Sequence, residues 1–521
     1  MNKALTVIAM VLAIIPLALL AVDAQVPQRR DFPSDREARP EATPPGTHRT
    51  LPTMDSKATE GEFIPGLFGS DPTYPDKPYD ADAQLSIYGG KTHFDAPRPV
   101  LEWGYPLYGD GPIGAGHNMI GEKNLVRPQL LVYGDWRTAI AYNDNGTNEV
   151  GQVATRLNVD VDLKLTATER IHAFFRPLDQ GGQFTRYEFA GDDRRQGDRK
   201  IDGNLETLFF EGDIGAIAAG LTDSYVGFDL PVAFGLVPLF FQNGIWVDDA
   251  FVGGALAIPA LNSPMLDISN LDVSFFMGVD KVSTLALKDA RGKLDDDAGR
   301  VFGVAAFSEM RSGYLETGYG YLQDTRDAPF GGFDYHSVTA AWTQRYGGWL
   351  SNSLRAIGNF GQSPDRNARQ TADGWVFIAE NSLVTALPST LVPYVNIFAG
   401  FDRPQSLAHG GDGVLKNVGI NFETDALTGF PKLNDTAQDA YGGAIGLQYL
   451  FALDKQIVVE VSTVQPWGGS SADIRGDQYG FGVRHQMNLT DRWIFRTDAI
   501  LGKRDRDDDL FGVRMELRRK F

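Results

Sequence analysis

The residues of this sequence best suited to chemistry are seven arginines: Arg137, Arg156, Arg176, Arg484, Arg496, Arg514 and Arg518. A guanidinium presents a planar fork of N–H donors that grips a carboxylate or phosphate through two bonds at once, so a row of them makes an anion-binding surface. These arginines sit in segments whose side chains alternate between apolar and polar. From Arg156 to Leu165 every odd position is apolar and every even one polar or charged. The C-terminal stretch Phe511–Phe521 places apolar side chains at 511, 513, 515, 517 and 521 against polar ones at 514, 516, 518 and 520, with Arg519 the one break. A strand sends successive side chains to opposite faces, so each such segment is a two-faced strand, greasy on one side and charged on the other. The charged faces then collect Asp135 with Arg137, and Arg156 with Asp160, Asp162 and Lys164. They also collect His172 with Arg176, Arg496 with Asp498, and Arg514 with Glu516 and Arg518, while Arg484 stands alone.

Other chemistries lack their residues. There is no Cys in the chain, hence no disulfide, no Cys-ligated zinc and no thiol nucleophile. No His-Glu-x-x-His, Gly-x-Ser-x-Gly or Gly-x-x-x-x-Gly-Lys motif occurs, and the seven His are scattered. We therefore expect no catalytic residues, no metal site and no cofactor. The acidic runs Asp192-Asp193, Asp295–Asp297 and Asp507–Asp509 read as solvated charge, or at most as loose Ca²⁺ contacts; Asn143-Asp144-Asn145-Gly146 lacks the spacing of a calcium-binding loop. A net charge of −19 argues against nucleic acid as a partner.

The elements that must position the arginines recur from about Leu130 onward. Strand–short turn–strand units turn near Thr166–Glu169, Gly212-Asp213, Arg311–Gly313, Tyr346–Gly348, Ala386–Thr390, Ala452–Lys455 and Asn488–Asp491. Longer polar stretches separate them, near 179–203, 281–299, 323–334, 361–373, 402–438 and 465–476. The strands run to about 9–12 residues, the length that crosses a bilayer when tilted. Short turns on one side and long loops on the other are the asymmetry of a transmembrane barrel, and counting predicts about 18 antiparallel strands, with 16 the nearest alternative. The N-terminus fits a secretory signal over residues 1–24: Lys3, an apolar run from Ala4 to Leu20, and small residues at Val22 and Ala24 before a cut at Gln25. Residues 25–83 are Pro-rich and charged, an extended periplasmic linker with scope for contact with cell-wall material. Residues 84–128 fit either the periplasmic mouth or the lumen, and 129–521 form the barrel.

Taken together, the signal segment, the amphipathic strands and the closing strand that ends on Phe521 resemble a Gram-negative outer-membrane porin, with the alginate-export and carbohydrate-selective porins the nearest in appearance. That resemblance implies an all-β transmembrane barrel in the outer membrane, lipid around it, passive passage of small hydrophilic solutes that are anionic or sugar-like, and no cofactor. Export of an acidic polysaccharide, or a structural or adhesive barrel with a blocked lumen, would use the same fold. Homo-oligomers are open to it. Inside such a barrel the arginines either pair with the nearby Asp and Glu as ordinary lumen polarity, or form a wall that selects the solute. The stretch Leu221–Gly254 is too apolar for an external loop. We expect it to fold inward as a constriction and to present Asp248 and Asp249 towards the arginines.

Overall fold

The computed structural model describes residues 97–521 except 106, 108–115, 192–196, 204, 290–291, 329, 366–367, 386–389, 452–454, 470 and 472. The signal segment, the Pro-rich linker, Asp192-Asp193 and the turns at 386–389 and 452–454 lie outside the described residues. The chain begins its barrel with Gln129–Asp144 (β1), Glu149–Lys164 (β2), an interrupted β3 (Arg170–Phe175 and Gln183–Gly191) and an interrupted β4 (Gly197–Asp198 and Leu205–Asp213). Then come Pro231–Phe241 (β5), Val247–Ser263 (β6), Ile268–Asp280 (β7), Gly299–Met310 (β8), Gly313–Asp324 (β9) and Tyr335–Tyr346 (β10). Leu350–Phe360 (β11), Asp373–Leu383 (β12), Leu391–Arg403 (β13) and Ala440–Phe451 (β14) follow. Lys455–Pro466 (β15), Gln478–Asn488 (β16), Trp493–Arg504 (β17) and Leu510–Lys520 (β18) complete the wall.

Each strand pairs antiparallel with the next, and β18 returns to β1, from Asp135↔Lys520 to Asp144↔Phe511. The 18-stranded barrel is closed, which leaves no unpaired edge to face lipid. The seam is finished locally. Gly134 and Phe521 exchange both backbone hydrogen bonds. Where β1 runs on past the C-terminus, Leu101–Trp103 pairs with Leu130–Val132 and covers the spare edge.

Register carries one face right around the barrel, so the alternation read in the sequence becomes an inside and an outside. Outward side chains such as Trp136, Phe234, Phe275, Trp375, Ile445 and Leu501 are exposed. An apolar belt of that extent is the surface of a protein solvated by lipid. Aromatic side chains mark both rims, with Phe401 stacked on Trp467 at the loop end and Tyr346 and Trp349 at the turn end. No helix among the described residues is long and apolar enough to cross a membrane; the crossing elements are strands.

Two expectations need correcting. The turn at Gly212-Asp213 is instead the start of a helix, Ile214–Thr222, where the Asp213 side chain caps the Ala216 N–H. Leu221–Gly254 is not a loop, because it contains β5 and the start of β6. Its first ten residues are the end of the helix and the turn into β5, and between β5 and β6 the tip, residues 242–246, leaves the wall. Beyond the register break at Val252/Gly253, β6 parts from β7, and its free edge pairs in parallel with Ala408-His409. The tip turns into the barrel. Trp246 is fully buried and donates to Ser337 of β10, and the Gln242 Oε1 accepts from Thr339 of β10 and Arg355 of β11.

The long connection 404–439 between β13 and β14 also lies inside the barrel. Leu407, Leu415, Val418, Phe422 and Leu433 join Trp246 and the inward side chains of Val301, Leu322, Ile357, Val376 and Phe398 in one apolar cluster. Those inward residues would be misplaced in an aqueous lumen, and the connection covers them. It is also tied by polar contacts. The Glu460 carboxylate accepts from Ile420 N, Asn421 N and the Tyr394 hydroxyl, while the Thr428 carbonyl accepts from Asn143 and Gln152. Inward glycines make room for it. A Cβ on Gly320 would stand 2.2 Å from Leu407, and one on Gly482 would stand 2.2 Å from Asn421. Gly482→Val should therefore overpack this seat at a cost of about 1–3 kcal/mol and release the connection. Trypsin added to the folded variant should then cut after Lys416 and Lys432, positions it spares in the parent; equal resistance in both would mean that the seat tolerates the side chain.

Candidate anion-binding wall

Six of the arginines face inward from five consecutive strands across the seam, β16, β17, β18, β1 and β2, and Arg176 follows directly on the first segment of β3. Two rows result from the register. In the first, Arg518, Arg137 and Arg156 stand abreast as direct cross-strand partners on β18, β1 and β2. Opposite side chains on one face of a sheet are about 4.5–5.5 Å apart at Cβ, and like charges there repel. The row is held by carboxylates above and below it. Arg137 Nε lies 2.7 Å from Asp135, and Arg518 lies 3.4 Å from Asp135 and 3.2 Å from Glu516. Arg156 differs: among the described residues it makes no ion pair. Its Nε donates to Asn158 at 2.8 Å and its guanidinium stands 5.5 Å over the Phe184 ring. Arg176, just past the first segment of β3, extends the surface next to Asp179 and Glu206 at 3.6 and 3.3 Å.

The second row is Arg484–Asp498–Arg514 on β16, β17 and β18. Asp498 takes three guanidinium groups at once: Arg484 at 2.7 Å, Arg496 at 2.8 Å and Arg514 at 2.6 Å. The inward connection supplies the remaining counter-charges. Glu423 lies 2.8 Å from Arg484, and Asp425 pairs with Arg514. Glu423 and Asp425 complete the charge of this wall from the connection, although sequence reasoning did not pick them out. The stretch that carries them reads as a polar external loop, and only its interspersed Leu, Val and Phe residues hint at a buried course.

Asp248 and Asp249 do not reach the arginines. Asp248 pairs with Lys416 and lies 3.8 Å from His409, both in the inward connection. Asp249 accepts the Ser283 N–H at 2.7 Å. Asp248 seats the connection beside the tip of the β5–β6 hairpin, and Asp249 holds the β7–β8 loop at Ser283. His409 belongs to the same seat; burial, and then the neighbouring Lys416, press its imidazole down to about 4. Its Nδ1 accepts the N–H groups of Gly411 and Asp412.

Away from the seam the inward charges change sign. Asp272 on β7, Glu316 on β9 and Glu380 on β12 face inward, with Arg355 on β11 lying 3.4 Å from Glu380. No group of acidic, His or Cys side chains suited to a metal occurs among the described residues. What the wall offers is fixed positive charge and paired N–H donors.

A scan against protein-family models finds no match, and no curated protein matches the chain in sequence. Solved structures do resemble it. OccK9 (OpdG) and OccK2 (OpdF) of Pseudomonas aeruginosa each superpose with a TM-score of 0.50, at 10% and 11% identity. The matches cover 75% of this chain and 98% and 97% of theirs. OpdK of the same organism, solved with vanillate, gives a TM-score of 0.48 at 13% identity over 75% of this chain and 98% of that one. At such identities the likeness is one of fold, and the fold is that of the 18-stranded outer-membrane porins.

Proposed function

We propose that this barrel is a passive outer-membrane channel for small hydrophilic solutes, and that its arginine wall gives it a preference for anions. The observation that carries this reading is the row Arg518, Arg137 and Arg156. Facing inward is demanded of any arginine in such a strand, since facing lipid at mid-depth costs about 2–4 kcal/mol. Standing three abreast is not demanded, and with Asp135 and Glu516 as the counter-charges among the described residues it leaves one positive charge to the lumen. Arg156, which has no carboxylate partner among the described residues, is the natural first contact for an anionic solute.

The connection that crosses the lumen bears on the two other readings. An acidic polysaccharide needs a wide, clear path, which residues 404–439 narrow. A structural barrel with a blocked lumen needs them to close the path altogether. Single-channel recording in a planar bilayer separates these cases. The expected result is steady ohmic current whose reversal potential under a KCl gradient shows anion preference. The preference should fade with salt, because screening shortens from about 10 Å at 0.1 M to about 3 Å at 1 M. Absence of current from correctly folded protein would sink the channel reading in favour of the blocked barrel.

A further inference from the structure

The second arginine row and the inward connection together have a charge balance that the barrel wall alone lacks. On the wall, Arg484, Arg496 and Arg514 share Asp498, and Arg514 also lies 3.6 Å from Glu516; with Glu516 counted to Arg518 in the first row, this cluster carries two positive charges in excess. The first row carries a smaller excess, of one, since Arg137 and Arg518 meet Asp135 and Glu516 while Arg156 makes no ion pair among the described residues. The two missing negative charges come from Glu423 and Asp425. They belong to a segment that folds onto the wall rather than to the wall itself. Arg514 is 1% exposed, so it cannot rely on water in place of a counter-ion.

We propose that Arg484 and Arg514 form a two-point binding station for a small dicarboxylate, which Glu423 and Asp425 occupy in the solute's absence. The proposal rests on the anion-channel reading and adds the solute class. Two features favour displacement by a solute over a permanent structural pair. Glu423 is 44% exposed, so its contact with Arg484 is open to the lumen. The residues on either side are held by contacts that do not involve the arginines: upstream, Glu460 holds Ile420 and Asn421, and downstream, Asn143 and Gln152 hold Thr428. Glu423 can therefore swing off the wall while the segment stays seated, and Asp425 can give up Arg514 while its carboxylate keeps the Thr428 N–H and hydroxyl. A dianion entering there restores neutrality. A monoanion restores half of it and leaves one charge unmet. A tethered group competes at an effective concentration of order millimolar, so the native carboxylates act as a threshold that only a two-point ligand overcomes.

The test is transient block of the KCl current by succinate, with acetate as the one-charge control, in the parent and in Glu423→Gln/Asp425→Asn. In the parent, succinate should block at concentrations where acetate does not. In the double variant the half-blocking concentration of succinate should fall about tenfold, because the internal competitor is gone. Equal block by succinate and acetate in the parent, or an unchanged succinate value in the variant, would overturn the proposal. If the double variant fails to assemble, Glu423→Gln alone keeps Asp425 on the buried Arg514, and it should show a smaller fall in the same direction; no fall overturns the proposal equally. A parent channel that conducts with no anion preference would instead defeat the anion-channel reading, so the two failures are distinct.

Discussion

Arg137→Glu/Arg156→Glu should convert an anion-preferring channel into a cation-preferring one. The two substitutions change the local charge by four units within one cross-strand row, leaving Arg518 beside Asp135, Glu516 and two new glutamates. Fixed charges lining a narrow aqueous path set which counter-ion accumulates there, and the effect is largest where low-dielectric walls focus the field. Both side chains keep part of their surface exposed to the lumen, so the exchange alters the path more than the packing. The measurement is the reversal potential in a KCl gradient at low salt. In the parent it should lie on the chloride side of zero, and in the variant on the potassium side. Conductance should stay within the parent's range, because among the described residues neither arginine makes a hydrogen bond or ion pair with residues 404–439. A variant with the parent's selectivity would place this row outside the conduction path. Arg496→Glu/Arg514→Glu would test the same idea less cleanly, since both arginines hold Asp498 and Arg514 is buried under the inward connection.

How far the sequence foretold this structure depended on what lay on each side of a strand. Around Arg156–Leu165, lipid lies on one side and a polar lumen on the other, so the period-two pattern is complete and the inward face follows from it. The same holds for Leu510–Lys520, and the inward positions of Arg514, Glu516 and Arg518 follow. In β5 and the first half of β6, lipid lies outside, but an apolar cluster containing Trp246 and Phe251 lies inside. Both faces are then greasy, the alternation disappears, and the segment reads as an apolar run instead of two strands. The inward connection poses the opposite problem. Its charges, among them Asp412, Lys416, Glu423 and Asp425, look like solvent-facing polarity. In the structure each of the four is spent on an ion pair with the wall, with the hairpin tip or within the connection. Pairing at that range is a matter of tertiary geometry, which no local pattern encodes. The helix after Asp213 is a third case: a capping aspartate followed by an Ala- and Gly-rich turn is a short signal, and a barrel turn is written in similar residues.

Arg514→Met should be the most damaging single substitution in the wall. Methionine roughly keeps the length of the side chain but removes the cation from between Asp498, Asp425 and Glu516. Asp498 retains Arg484 and Arg496, and Glu516 retains Arg518, so the carboxylate left without a cation is Asp425. Breaking a buried pair from one side costs about 3–5 kcal/mol, most of it the penalty of the stranded charge. Arg496→Met provides the contrast. It is partly exposed and is one of three cations on Asp498, so its loss should cost no more than about 1 kcal/mol. The measurement is urea unfolding of the barrel in lipid vesicles, followed by tryptophan fluorescence. The argument also makes a demand of a second variant. If the stranded Asp425 is the cause, Arg514→Met/Asp425→Asn should recover much of the loss, since the amide keeps the side chain's shape and can still accept from the Thr428 N–H. Coupling of this kind between contacting residues runs to about 0.5–3 kcal/mol. No recovery, with equal losses for Arg514→Met and Arg496→Met, would mean that the arginine contributes packing and not charge, and that the wall's balance with the inward connection is not what holds the two together.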